Sequence, residues 1–121
     1  MKRSETGKLG EILARDYLIK HGYDILSTNF RTARGEIDII ARHKEFLVFV
    51  EVRTKTSRNF GTPEESVTPL KKQHLITVAQ SYCETHQNLP EAWRIDFVAV
   101  EMDRTGRVRR ISLIENAVSE S

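Results

Sequence analysis

Two acidic residues sit where the sequence is otherwise apolar. Asp38 interrupts the run Gly35-Glu36-Ile37-Asp38-Ile39-Ile40-Ala41, and Glu51 follows Phe46-Leu47-Val48-Phe49-Val50. An ionised carboxylate buried without a partner is strongly unfavourable. Each acid must therefore meet a cation or a metal, or lie at a strand end open to water. A short turn at Lys44-Glu45 would make the two segments antiparallel neighbours and bring 36–38 beside 51–53. Side chains alternate with period two along a strand, so Phe49, Glu51, Arg53 and Lys55 share one face. Two converging carboxylates with a backbone carbonyl form a hard oxygen set suited to Mg²⁺ or Mn²⁺. A cationic side chain beside them can stabilise a phosphorane-like transition state or help position an attacking water. That chemistry is phosphodiester hydrolysis. The competing reading is an ordinary cross-strand ion pair of Asp38 or Glu51 with Arg53 or Arg34.

Glu11 is a third candidate. It shares one side of a helical stretch with Ala14, Arg15 and Leu18 by i, i+3, i+4, i+7 spacing. Its bland explanation is a Glu11–Arg15 pair on the helix surface. Its functional reading is an acid facing the metal, directly or through water, with Gly7 and Gly10 allowing another backbone to come close. Lys71, Lys72 and Gln73 fall in the first turn of a second helix, where basic residues oppose the helix dipole unless a phosphate binds there. Arg31, Arg34 and Arg58 are loop or strand-end residues that could track a nucleic-acid backbone. The four histidines and Cys83 show no zinc spacing.

The elements that must position these residues are legible from periodicity. Residues 5–21 read as a helix, with Leu9, Leu13 and Tyr17 on an apolar stripe and Ile12 and Leu18 beside them, stopped by Gly22. Residues 23–30 read as a short strand. Residues 35–42 alternate, with Glu36, Asp38 and Ile40 expected on one face and Ile37, Ile39 and Ala41 on the other. The unbroken apolar start of 46–53 marks a central strand covered on both faces. Residues 56–67 read as a loop. Thr68-Pro69 is a helix start, and that helix is expected to reach about Asn88, before Pro90. Residues 93–102 and 109–115 read as closing strands joined by the turn Asp103-Arg104-Thr105-Gly106. Cys83 reads as a small core residue, Trp93 as a packing anchor and Asp96 as solvent-facing or ion-paired. The implied class is α/β, a mixed central sheet flanked by helices.

Length and composition bound the rest. A chain of 121 residues is expected to form one domain, 1–121. No apolar run approaches the roughly 20 residues that span a bilayer. No secretory signal is evident, and a single cysteine leaves no internal disulfide, so a cytoplasmic location is expected. Residues 1–60 carry 12 Lys+Arg against 8 Asp+Glu, whereas 61–121 carry 7 against 9. The N-terminal half is thus the better match for phosphates.

The segments Thr6-Gly7-Lys8-Leu9-Gly10-Glu11-Ile12-Leu13-Ala14, Gly35 to Ala41, and Phe49-Val50-Glu51-Val52-Arg53 together resemble the YraN family of bacterial proteins. That family is grouped with the restriction-endonuclease-like, PD-(D/E)XK nucleases and is similar to archaeal Holliday-junction resolvases. The resemblance implies a restriction-endonuclease-like α-β-β-β-α-β core. It makes Asp38 and Glu51 the metal-binding acids of a Mg²⁺ or Mn²⁺ endonuclease. Val52 would lend its carbonyl to the metal, and Glu11 would be the helix-one glutamate. Arg53 occupies the position of the motif lysine. Arginine stays protonated and cannot act as a base, though it binds phosphate well; Lys55 is the nearest candidate to supply the missing amine. Gln73 matches a polar residue on the second helix. DNA, branched or damaged forms included, is the implied partner, and a homodimer is implied by the resolvase likeness. The arginine also motivates a second reading, a nucleic-acid-binding module that does not cut. A third is an assembly protein whose acids are ion pairs.

Overall fold

A computed structural model describes residues 3–56 and 61–118. Helix α1 (Arg3–Lys20) leads into three strands, β1 (Asp24–Thr32), β2 (Gly35–His43) and β3 (Phe46–Lys55). A short 3-10 turn (Glu64–Ser66) precedes helix α2 (Pro69–Thr85), and β4 (Ala92–Met102) and β5 (Val108–Ile114) close the chain. The five strands form one mixed sheet in chain order. Only β3 and β4 run parallel, joined through α2; the other neighbours are antiparallel. The expected order of helix, three strands, helix and two strands is what forms.

Each helix covers one face. Ala14 and Leu18 of α1 pack with Ile39, Ala41, Val48, Val50, Val98 and Val100. Leu75, Val78, Ala79 and Tyr82 of α2 pack with Ile37, Ile40, Phe49, Ile95 and Phe97 on the other. Buried on both sides, β3 and β4 need their near-continuous apolar sequence. Trp93 meets Phe49 edge to face at 5.7 Å, as an anchor should. Thr68 caps α2, its hydroxyl accepting from the Lys71 amide at 3.1 Å, with Pro69 in the first turn.

Several local expectations need correction. The helix-one stripe is centred on Ala14 and Leu18, and Ile12 stands 48% exposed. Helix α2 stops at Thr85 because His86 turns to extended backbone and Asn88 adopts a left-handed φ of 61°. Of the two readings of Asp96, solvent-facing or ion-paired, the ion pair is the one that forms, and the residue is fully buried. It holds Arg94 at 3.0 Å, the Tyr23 hydroxyl at 3.0 Å and the Asn116 amide at 2.9 Å. Cys83 is only partly buried, against the α2-side core. The strict alternation expected in β2 also fails, because Ile37 packs on the α2 side with Ile40 while Ile39 packs on the α1 side. The reversal falls at Asp38.

Candidate functional site

The reversal is where the site is made. The β2–β3 ladder runs from the pair His43–Phe46 to the pair Ile39–Val50 and ends there, one residue short of Asp38. The Val52 amide instead donates to Asp38 Oδ2 at 2.8 Å. A carboxylate thus takes a hydrogen bond that a regular strand would take with its backbone. Across on β1, Asn29 lies between the pairs Thr28–Ile39 and Phe30–Ile37 and has a left-handed φ of 53°. Asparagine tolerates that conformation better than most residues. The sheet is therefore irregular on both sides of Asp38.

Glu51 remains in register in β3, opposite Phe97, and is 4% exposed. Its Oε2 lies 3.5 Å from Arg53 Nε and 3.5 Å from Lys71 Nζ. Burial raises its pKa well above the ordinary carboxylate range, and the charge and hydrogen bond of the adjoining Asp38 raise it further. Lys71 and Arg53 oppose that rise without cancelling it. Arg53 Nε is buried and has no hydrogen-bond partner among the described residues. The ammonium that reaches Glu51 is thus that of Lys71 from α2; Lys55 donates to the Gly61 carbonyl at 3.3 Å.

Glu11 stands on the α1 side, lining a cavity with Asp38. Burial raises its pKa first, then the charges of Asp38 and Glu36, against Arg31. Gly10 beside it is required by space. A Cβ there would lie 1.9 Å from Thr54 Oγ1, so what closes on α1 is a side chain of β3 and not the backbone that the sequence suggested. Gly7 has nothing within 4 Å of such a Cβ, and close approach does not explain it.

The sheet thus brings Asp38, Glu51, Val52, Arg53 and Lys71 together, with Glu11 reaching Asp38 from the opposite face. Lys72 is half-buried and Gln73 exposed in the same turn of α2 as Lys71. Arg34 is exposed in the β1–β2 turn, and Arg58 lies outside the described residues. Sequence reasoning assigned Lys71 to nucleic acid and missed its contact with Glu51. Its signal was present, a basic residue placed against the helix dipole. Lys8, one turn before Glu11 and lining the same cavity, was also missed.

The donors suit a hard divalent cation. Two carboxylates adjoin, and the pair is left short of positive charge. Among the described residues no three His, Cys, Asp or Glu side chains converge, so a bound ion would need backbone, water or phosphate oxygens to complete its shell. Also among the described residues, no helix is long and apolar enough to cross a membrane.

Comparison with known proteins gives a family without an assigned chemistry. The sequence profile of the uncharacterised protein family UPF0102 matches residues 10–100. A UPF0102 protein of Dehalococcoides mccartyi is 48% identical over 118 residues, covering 98% of this chain and 96% of the relative. One from Caldicellulosiruptor bescii is 45% identical over 118 residues, at 97% and 99% coverage. One from Moorella thermoacetica is 42% identical over 117 residues, at 97% and 98%.

Proposed function

The chain belongs to the uncharacterised protein family UPF0102, and from its acid pair we propose that it is a metal-dependent endonuclease of the PD-(D/E)XK type, hydrolysing phosphodiester bonds in DNA. The observation that carries the reading is Glu51, buried beside Asp38 with Arg53 and Lys71 each 3.5 Å from one of its oxygens. Two acids meet two cations there, and the pKa of Glu51 is still raised, by burial first and then by Asp38, so the cations do not fully offset the acid pair. The resemblance to YraN-like and restriction-endonuclease-like proteins points to the same residues.

Asp38 and Glu51 would hold Mg²⁺ or Mn²⁺, with the Val52 carbonyl as a backbone donor. When bound, such an ion supplies a Lewis acid and a water of lowered pKa. The chain's own part is electrostatic. Arg53 and Lys71 face the position where charge builds on a phosphoryl group, and fixed cations there lower the barrier. The Val52 amide holds the Asp38 carboxylate in one orientation. Glu11 would orient metal or water from the α1 side. Lys72, Gln73 and Arg34 would contact the DNA backbone.

The test is calorimetric titration of Mn²⁺ into the protein and into an Asp38→Asn/Glu51→Gln variant, followed by a cleavage assay on linear and branched DNA. Manganese binding and cutting that the double variant loses are the expected results. Cleavage at an unchanged rate in the variant sinks the mechanism.

A specific observation favours the second reading, a module that binds without cutting. Arg53 stands at the motif lysine, and Lys55 is engaged with the Gly61 carbonyl. That reading expects DNA binding that weakens as salt rises, with or without Mn²⁺, and no cleavage.

A further inference from the structure

The cavity on the α1 side of Asp38 is not explained by the acid pair. It measures about 190 Å³ and lies between α1 and the start of the sheet. Its apolar lining is Ile39, only 2% exposed, and Ile12, whose 48% exposure leaves an apolar side chain open beside a polar site. Thr28 and Asn29 of β1 add hydrogen-bonding groups to the lining, beside the carboxylates of Glu11 and Asp38. Lys8 and Arg15 lie one turn before and one turn after Glu11–Ile12 and bring a cation to either end.

We infer that this cavity seats one unpaired nucleotide adjoining the phosphate held at Asp38 and Glu51, the base between Ile12 and the polar groups of β1 and the flanking phosphates on Lys8 and Arg15. The inference rests on the nuclease reading and adds the form of the substrate to it. Two apolar side chains beside a few hydrogen-bonding groups can take the face and the edge of a nucleobase. The volume matches one ring system and not a base pair, so the nucleotide seated there would stand outside the double helix. The kink that frees Asp38 also makes the room, because Asn29 and Asp38 both line the cavity.

The test uses the intact protein with labelled isoleucine methyls and asparagine amides, in Ca²⁺ buffer. The probes are pentathymidylate and a blunt-ended, fully paired DNA duplex. With pentathymidylate, the methyls of Ile12 and Ile39 and the Asn29 amide are expected to shift; with the duplex they stay in place. Ile12→Asp should weaken pentathymidylate binding about tenfold and duplex binding by less than about threefold, because a contact with the base is lost in one case only. Ile12 is half exposed, so this substitution leaves the core intact, and an unchanged methyl spectrum elsewhere verifies that. Pentathymidylate binding with shifts confined to Lys71 and its neighbours, or an unchanged preference in the variant, overturns the inference and leaves the nuclease reading standing. Failure of both probes to bind overturns both.

Discussion

Glu51 is held in a state that suits a ligand better than it suits the fold. Its carboxyl is buried beside Asp38, and two cations only partly offset that. Removing the charge while keeping the shape should therefore stabilise the metal-free protein. Glu51→Gln is expected to add about 1 kcal/mol at pH 8, as functional-site substitutions often do. Thermal unfolding without metal measures this. Mn²⁺ is expected to raise the melting temperature of the parent and not that of the variant. A variant less stable than the parent would show that Glu51 serves chiefly as a partner for Arg53 and Lys71. Both acids were visible in the sequence because charge inside an apolar run needs a reason. Arg53 was also legible as a partner for Glu51, but the second cation was not, because Lys71 lies twenty positions on and only the return of α2 over the sheet brings it back.

At the scale of elements, periodicity located every helix and strand and missed where each irregularity falls. Runs such as Phe46–Val50 fix a buried strand whatever surrounds them. The reversal at Asp38 depends on a side chain taking the Val52 amide, and no local pattern announces that. The close meeting of α1 with β3 was legible through Gly10. Gly10→Ala should cost about 1–3 kcal/mol by overpacking against Thr54. Thr54→Ala should recover part of that loss, since it removes the atom that the new Cβ would strike. A double-mutant cycle by urea unfolding measures the coupling, and additive losses would mean that the helix simply shifts. Thr54 follows Arg53 in β3, so the same contact fixes the strand that carries the candidate cation.

Across the whole molecule, the two ends of the sheet are secured differently. At the β5 end, Arg110 grips Glu64 at 2.7 Å and also meets Glu101, tying the last strand to the segment before α2. Its hydrogen bonds hold the Glu64 carboxyl down to about 2, from an ordinary value of 4.5. A depressed acid stabilises the fold above its unfolded pKa. This contribution is therefore complete above pH 4.5 and is lost as pH falls toward 2. Arg110→Met should flatten the fall of melting temperature across that window, and equal slopes in parent and variant would rule the tie out. At the β1 end the strand is uneven, with a register shift between Ile25 and Ser27 and the left-handed Asn29. A straight outer strand of nine residues would offer a second copy a row of open amides and carbonyls, the template for runaway fibre growth. The bend that turns Asp38 toward Val52 thus gives the β1 edge a blunted rim, poorly shaped to carry the ladder on into a second copy.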